Sequence, residues 1–156
     1  MKKESTAKEI TAKEITDENL RQFVGYNMKR AFLNVRADLA DTLEPLGLRM
    51  TSFSALAVII ENPDISQSRL AEALHIERSG VVVLVDELES ADLISRGRVA
   101  GDRRQHALRV TPEGAAKWKE AETAVNAHEA AMFSKLTEAE VSVLKELLRR
   151  VRRPEA

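Results

Sequence analysis

No cysteine occurs in the 156 residues, which excludes a disulfide framework, thiolate metal sites, a cysteine nucleophile and thiol redox sensing, and suits a reducing cytoplasm. Aromatic residues make up 4%, and glycine and proline number only six and four. A chain so poor in strand and turn formers, and dominated by Ala, Leu, Val, Glu and Arg, is expected to be mainly helical. No apolar run approaches the roughly 18 residues of a membrane span, and charges stand where a signal peptide needs an apolar stretch, so no membrane partner is expected. Catalytic signatures are missing too: there is no Gly-rich phosphate loop, no Gly-x-Ser-x-Gly and no His-Glu-x-x-His. His75, His106 and His128 are far apart and lie in turn, strand and helix contexts. Neither an enzyme nor a cofactor or metal is expected.

What is present has a clear order. Residues 1–15 hold a tandem repeat, Thr-Ala-Lys-Glu-Ile at 6–10 and again at 11–15; a period of five fits neither a helix face nor a strand, so a frayed arm is expected. From Thr16, an N-cap candidate, Leu20, Phe23, Val24, Met28, Ala31, Val35, Leu39 and Leu43 recur at helical spacing and predict one long helix ended by Pro45 and Gly47. Thr51 can cap a second helix with Phe53, Leu56, Ala57 and Ile60 inward, stopped at Asn62-Pro63. Ser66 can cap a short third helix with Leu70, Ala71 and Leu74 inward, and a tight turn is expected at His75.

The fourth helix, about Arg78 to Ser90, contains Gly80 and a run of valines that by propensity suit a buried strand. Yet Val81, Leu84, Val85 and Leu88 keep a helical stripe, so a helix is expected. After Asp92, residues 93–99 and 105–110 read as a β-hairpin bent at Ala100-Gly101-Asp102-Arg103-Arg104. Thr111-Pro112 starts a further helix with Trp118, Ala121, Val125, His128 and Met132 on its face, and Thr137 to Glu140 form a capping box for the last one, whose inward face is Val141, Leu144, Leu147, Leu148 and Val151.

Two short helices, a tight turn and a basic hairpin form the outline of a winged helix-turn-helix, a module that reads duplex DNA. The net charge is only −1, but from Ile94 to Thr111 five arginines stand against the single acid Asp102. The additional terminal helices need somewhere to bury an apolar face, and a two-fold homodimer is the economical answer. The expected architecture is thus mainly α with a small β-wing. Residues 1–15 form the arm, 16–48 and 112–156 a helical dimerisation region, and 49–111 the DNA-binding lobe.

Four motifs, in this order and spacing, resemble the MarR family of bacterial transcriptional regulators over nearly the whole chain from about residue 16. They are Leu70-Ala71-Glu72-Ala73-Leu74, Leu88 to Arg96, Gly101-Asp102-Arg103-Arg104, and Leu108 to Gly114. The resemblance implies a homodimer with interlocking terminal helices that binds its operator through the fourth helix and the wing. It also implies release of DNA when a small ligand, often phenolic, binds between the dimer region and the DNA lobe. Two positions depart from the pattern: Val82 and Val83 stand where the family usually has Thr or Arg.

The candidate base contacts are therefore Arg78 and Ser79 for hydrogen bonding, Gly80 for close backbone approach, and Val82 and Val83 for thymine methyls. Arg98, Arg103 and Arg104 are candidates for phosphate or minor-groove contact, with Asp102 orienting a wing arginine. Ser66, Gln67 and Ser68 either donate to the DNA backbone or simply cap. Lys29 and Arg36 flank the apolar stripe of the first helix, either as snorkelling cations at a dimer edge or as an anion clamp for an effector such as an aromatic carboxylate or its CoA thioester. His128 is either a satisfied, partly buried residue or part of an effector pocket. A ligand-responsive repressor is the leading reading. A winged-helix protein-interaction module without DNA binding is the alternative, motivated by the near-neutral charge and the valines.

Overall fold

The computed structural model describes residues 16–99 and 102–151, and of residues 98, 99 and 102–106 it describes the backbone alone. The tandem repeat of residues 1–15 and the arginines 152 and 153 lie outside the described residues. Contacts divide the chain into two compact units, Met1–Asn34 and Val35–Ala156.

In the first unit the expected single helix is two: α1 (Glu18–Arg21) and α2 (Val24–Leu43), the latter running on into the second unit. The break falls at Gln22 and Phe23, where neither glycine nor proline marks it. Asp17 is the reason the chain turns back. Its carboxylate accepts from the Tyr26 hydroxyl at 2.5 Å, from Arg21 Nε at 2.6 Å and from Arg30 Nη1 at 3.3 Å. These bonds, that from Tyr26 foremost, hold the Asp17 carboxyl below its usual range.

In the second unit α2 ends at the buried Leu43, and a 3-10 turn over Glu44–Leu46 closes on Gly47 in the left-handed region at φ 69°. Helix α3 (Met50–Glu61) follows. It starts two residues earlier than a cap at Thr51 would place it: Arg49 is the cap position, and Ser52 Oγ accepts from the Arg49 N–H at 2.7 Å. The buried face of α3 is Ser52, Ala55, Leu56 and Ile59 instead of Phe53, Leu56, Ala57 and Ile60. Its sequence is apolar nearly all round, so periodicity alone could not fix the rotation. Phe53 instead stacks on Trp118, ring centroids 4.6 Å apart.

Strand β1 (Ile65–Ser66), helix α4 (Gln67–Leu74), helix α5 (Arg78–Ser90), strands β2 (Ile94–Val99) and β3 (Asp102–Val110), and helices α6 (Pro112–Met132) and α7 (Glu138–Val151) complete the elements of the described residues. The sheet has three antiparallel strands in the order β1-β3-β2, one more than the expected hairpin. Ile65 pairs with Leu108 and Ser66 with Ala107, so the start of the helix-turn-helix is stitched to the wing. The core gathers Leu43, Leu56, Ile59, Leu70, Val81, Val85, Ile94 and Leu108, all essentially inaccessible to water.

Helix α6 begins as its sequence dictates. Thr111 Oγ1 accepts from the Gly114 N–H at 2.9 Å and donates to the Asp92 carbonyl at 2.6 Å, with Pro112 in the first turn. At the start of α7 the Thr137 N–H donates to Glu140 Oε2 at 2.8 Å while the Glu140 N–H donates to Thr137 Oγ1 at 3.3 Å, the reciprocal capping pattern. No residue of α7 is buried, and Val143, Leu147, Leu148 and Val151 all face solvent. Among the described residues no single helix is long and apolar enough to cross a membrane.

Candidate nucleic-acid interface

The reading unit is built on a capped helix and a strained turn. Ser66 Oγ accepts from the Arg69 N–H at 3.3 Å and so caps α4. His75 ends α4 in the left-handed conformation, φ 51° and ψ 42°, and the Ile76 N–H returns to the Ala71 carbonyl at 3.1 Å. Leu70 and Ala71 are buried against α5, and α5 then spans the predicted residues despite its valines. Val81, Leu84, Val85 and Leu88 lie in the core, whereas Arg78, Ser79, Gly80, Val82 and Val83 are exposed on the first two turns. The structure thus brings the five candidate base-contact residues onto one solvent-facing surface. The N–H groups of that first turn have no intrahelical acceptor, and the helix dipole leaves the same end partially positive. Ser66, Gln67 and Ser68 are half-buried at the start of α4, Ser66 already engaged as the cap.

The wing differs from expectation in its charges and its bend. Two of its five arginines are bound to carboxylates of the scaffold. On β2, Arg96 reaches back to α5, pairing through Nη2 with Asp86 and lying 3.0 Å from Glu89 through Nε. On β3, Arg109 makes a two-pronged pair with Asp64 at 2.6 Å for each bond. That pairing draws the Asp64 carboxyl below its usual range and raises the Arg109 guanidinium above its own. Another arginine, Arg49 at the start of α3, pairs with Glu87. The acids of the second half of α5 are therefore matched from two sides.

Strand β3 begins at Asp102, so Arg103 and Arg104 belong to a strand and not to a five-residue bend. Arg98 pairs with His106 and Val99 with Asp102, and the register shifts between them, leaving Arg103 and Arg104 in an irregular stretch of β3. The side chains of Arg98, Asp102, Arg103 and Arg104 lie outside the described residues. The carboxylates seen to hold wing arginines are Asp64, Asp86 and Glu89, which sequence reasoning missed. The available signal was the acid pair three apart on α5, placed on one helix face beside an arginine-rich hairpin.

Of the candidate effector residues, Lys29 and Arg36 are exposed on α2, in the first and second units respectively. His128 is buried, its Nδ1 2.5 Å from Asp38 Oδ2, which ties α6 to α2.

This arrangement has close counterparts. A family model described as the MarR family matches residues 46–105. A transcriptional regulatory protein for the hcr operon of Thauera aromatica is 32% identical over 85% of this chain and 81% of its own length. The transcriptional repressor CouR bound to a 23-mer DNA duplex superposes with a TM-score of 0.86 at 32% identity, over 90% of this chain and 100% of that one. CouR from Rhodococcus jostii RHA1 bound to p-coumaroyl-CoA gives a TM-score of 0.78 at 26% identity, over 88% and 96% of the two chains. With a capped helix-turn-helix, a wing braced on it, and these likenesses over most of its length, the chain belongs to the MarR family and is a DNA-binding regulator of transcription.

Proposed function

We propose that the protein is a homodimeric repressor acting in the cytoplasm. In this reading residues 49–111 bind a pseudo-palindromic operator, and residues 16–48 and 112–156 join the two copies. The observation that carries it is the division of α5, with Val81, Leu84, Val85 and Leu88 fixed in the core and Arg78, Ser79, Gly80, Val82 and Val83 presented to solvent. Arg98, Arg103 and Arg104 supply charge to the DNA backbone and Ser66, Gln67 and Ser68 flank it, while Asp102 orients the wing. The apolar, solvent-facing stripe of α7 supports self-association.

A mobility-shift titration against the region upstream of its own gene tests this. Affinity is expected to fall steeply with salt, and Arg103→Ala to lower the affinity and to reduce the salt slope by about two, one for each copy of the dimer. No retardation at micromolar protein and low salt would favour the protein-interaction module instead.

The effector in this reading is an aromatic carboxylate or its CoA thioester, a class supported by the p-coumaroyl-CoA complex of the similar repressor. Arg36 receives its anionic group, and His128 stands at the pocket. The ligand dissociates the operator complex by favouring the state that fits DNA less well, with a coupling of about 1–3 kcal/mol. Titrating benzoate-type acids and their CoA thioesters into a preformed operator complex should release DNA, and Arg36→Ala should blunt the response.

A further inference from the structure

The outward face of α5 has an unusual chemistry for a helix assigned to reading bases. Val82 and Val83 are 43% and 57% exposed, and neither carries a hydrogen-bonding group. Four residues separate Arg78 from Val82 and Ser79 from Val83, so each valine lies one turn beyond a polar side chain on the same side of the helix. In a helix the branched β-carbon leaves valine essentially one side-chain rotamer, so both isopropyl groups are held in place before any partner arrives. Beyond them the helix is acidic, but Asp86 and Glu89 are engaged by Arg96 and Glu87 by Arg49. What α5 offers is therefore a cationic and hydroxyl first turn followed by two rigid apolar knobs.

A duplex major groove has one apolar feature along its floor, the C5-methyl of thymine. We propose that Val82 and Val83 are specificity-determining residues that pack on thymine methyls in each operator half-site. Sequence is then read at these two positions by methyl contact and not by hydrogen bonding. This inference rests on the DNA-binding reading and sharpens it: the half-site must carry thymines one helical turn along α5 from the positions met by Arg78 and Ser79.

The test compares the segment that the protein protects in a footprint with the same duplex synthesised with deoxyuridine for thymidine, which deletes the methyls and leaves every hydrogen-bonding group. Burying one methyl corresponds to about a fourfold change in binding. The wild type should bind the uracil duplex about sixteenfold more weakly, about fourfold for one methyl in each half-site, and more if both valines are in contact. The Val82→Ala, Val83→Ala double variant should bind both duplexes alike. Both positions are exposed and alanine favours helix, so the variant's fold, checked by its circular dichroism and thermal midpoint, should persist. Equal binding of the two duplexes by the wild type overturns the inference while leaving DNA binding intact. So does an undiminished uracil penalty in the double variant. Failure to retard the thymine duplex at all removes the underlying reading, and this inference with it.

Discussion

A methyl group placed on Gly114 would stand 1.9 Å from the Leu93 carbonyl oxygen, 2.8 Å from the Leu93 carbonyl carbon and 2.9 Å from Val110 Cγ2. Two of these three neighbours are backbone atoms just ahead of β2, so they cannot swing aside as a long side chain would. Gly114→Ala is therefore expected to cost about 3 kcal/mol, the upper end of the overpacking range, read as a lowered urea midpoint with an unchanged slope. The Asp64–Arg109 pair yields a pH signature. The Asp64 carboxyl titrates below its ordinary value of 3.8 when folded. Its contribution is therefore fully present above that value and is lost as pH falls through the lower folded one. The difference in thermal midpoint between wild type and Asp64→Asn should be constant from pH 7 to about pH 5 and shrink below about pH 4. Asparagine tolerates the left-handed backbone found at residue 64, φ 69°, so the substitution isolates the charge. The caps at Ser66, Thr111 and Thr137 were legible because their partners lie three residues away. The pairs Arg109–Asp64 and Arg49–Glu87 were not, because 45 and 38 residues separate the partners and only the fold brings them together.

At the scale of elements, periodicity decided what it could. Helix α5 was legible against the propensity of its valines because residues 81, 84, 85 and 88 keep one face, and burial of that face outweighs a few tenths of a kcal/mol per β-branched residue. Strand β1 was not legible: two residues carry no alternation, and they become a strand only because Leu108 and Ala107 are there to pair with. The α1–α2 break was hidden for a related reason, since it is made by side-chain bonds to Asp17 and not by a helix-breaking residue. Helix α7 shows the opposite case, a face that was legible and has no partner among the described residues. Leu147 is 48% exposed on it, so Leu147→Glu should leave the helix content of the single chain intact. In sedimentation velocity it should convert a dimer into a monomer.

For the molecule as a whole, charge acts through its arrangement. Seven basic and seven acidic residues between Ser66 and Thr111 cancel in the sum, but the acids of α5 are spent on internal arginines. Binding to a two-part operator should accordingly depend on having two copies more than on any single contact. A Leu147→Glu monomer should keep wild-type affinity for an isolated half-site yet lose about a hundredfold or more on the full operator, as measured by fluorescence anisotropy on duplexes of both lengths. Ser66 sets a further condition on how such a protein can vary. It is both the last residue of β1 and the cap of α4, so sheet and reading unit share a residue with no spacer between them. One residue inserted between Pro63 and Gln67 would either slide Ile65 off Leu108 and turn its side chain to the opposite face of the sheet, or strip α4 of its cap. Descendants of this gene can exchange side chains in that segment, but its length is frozen.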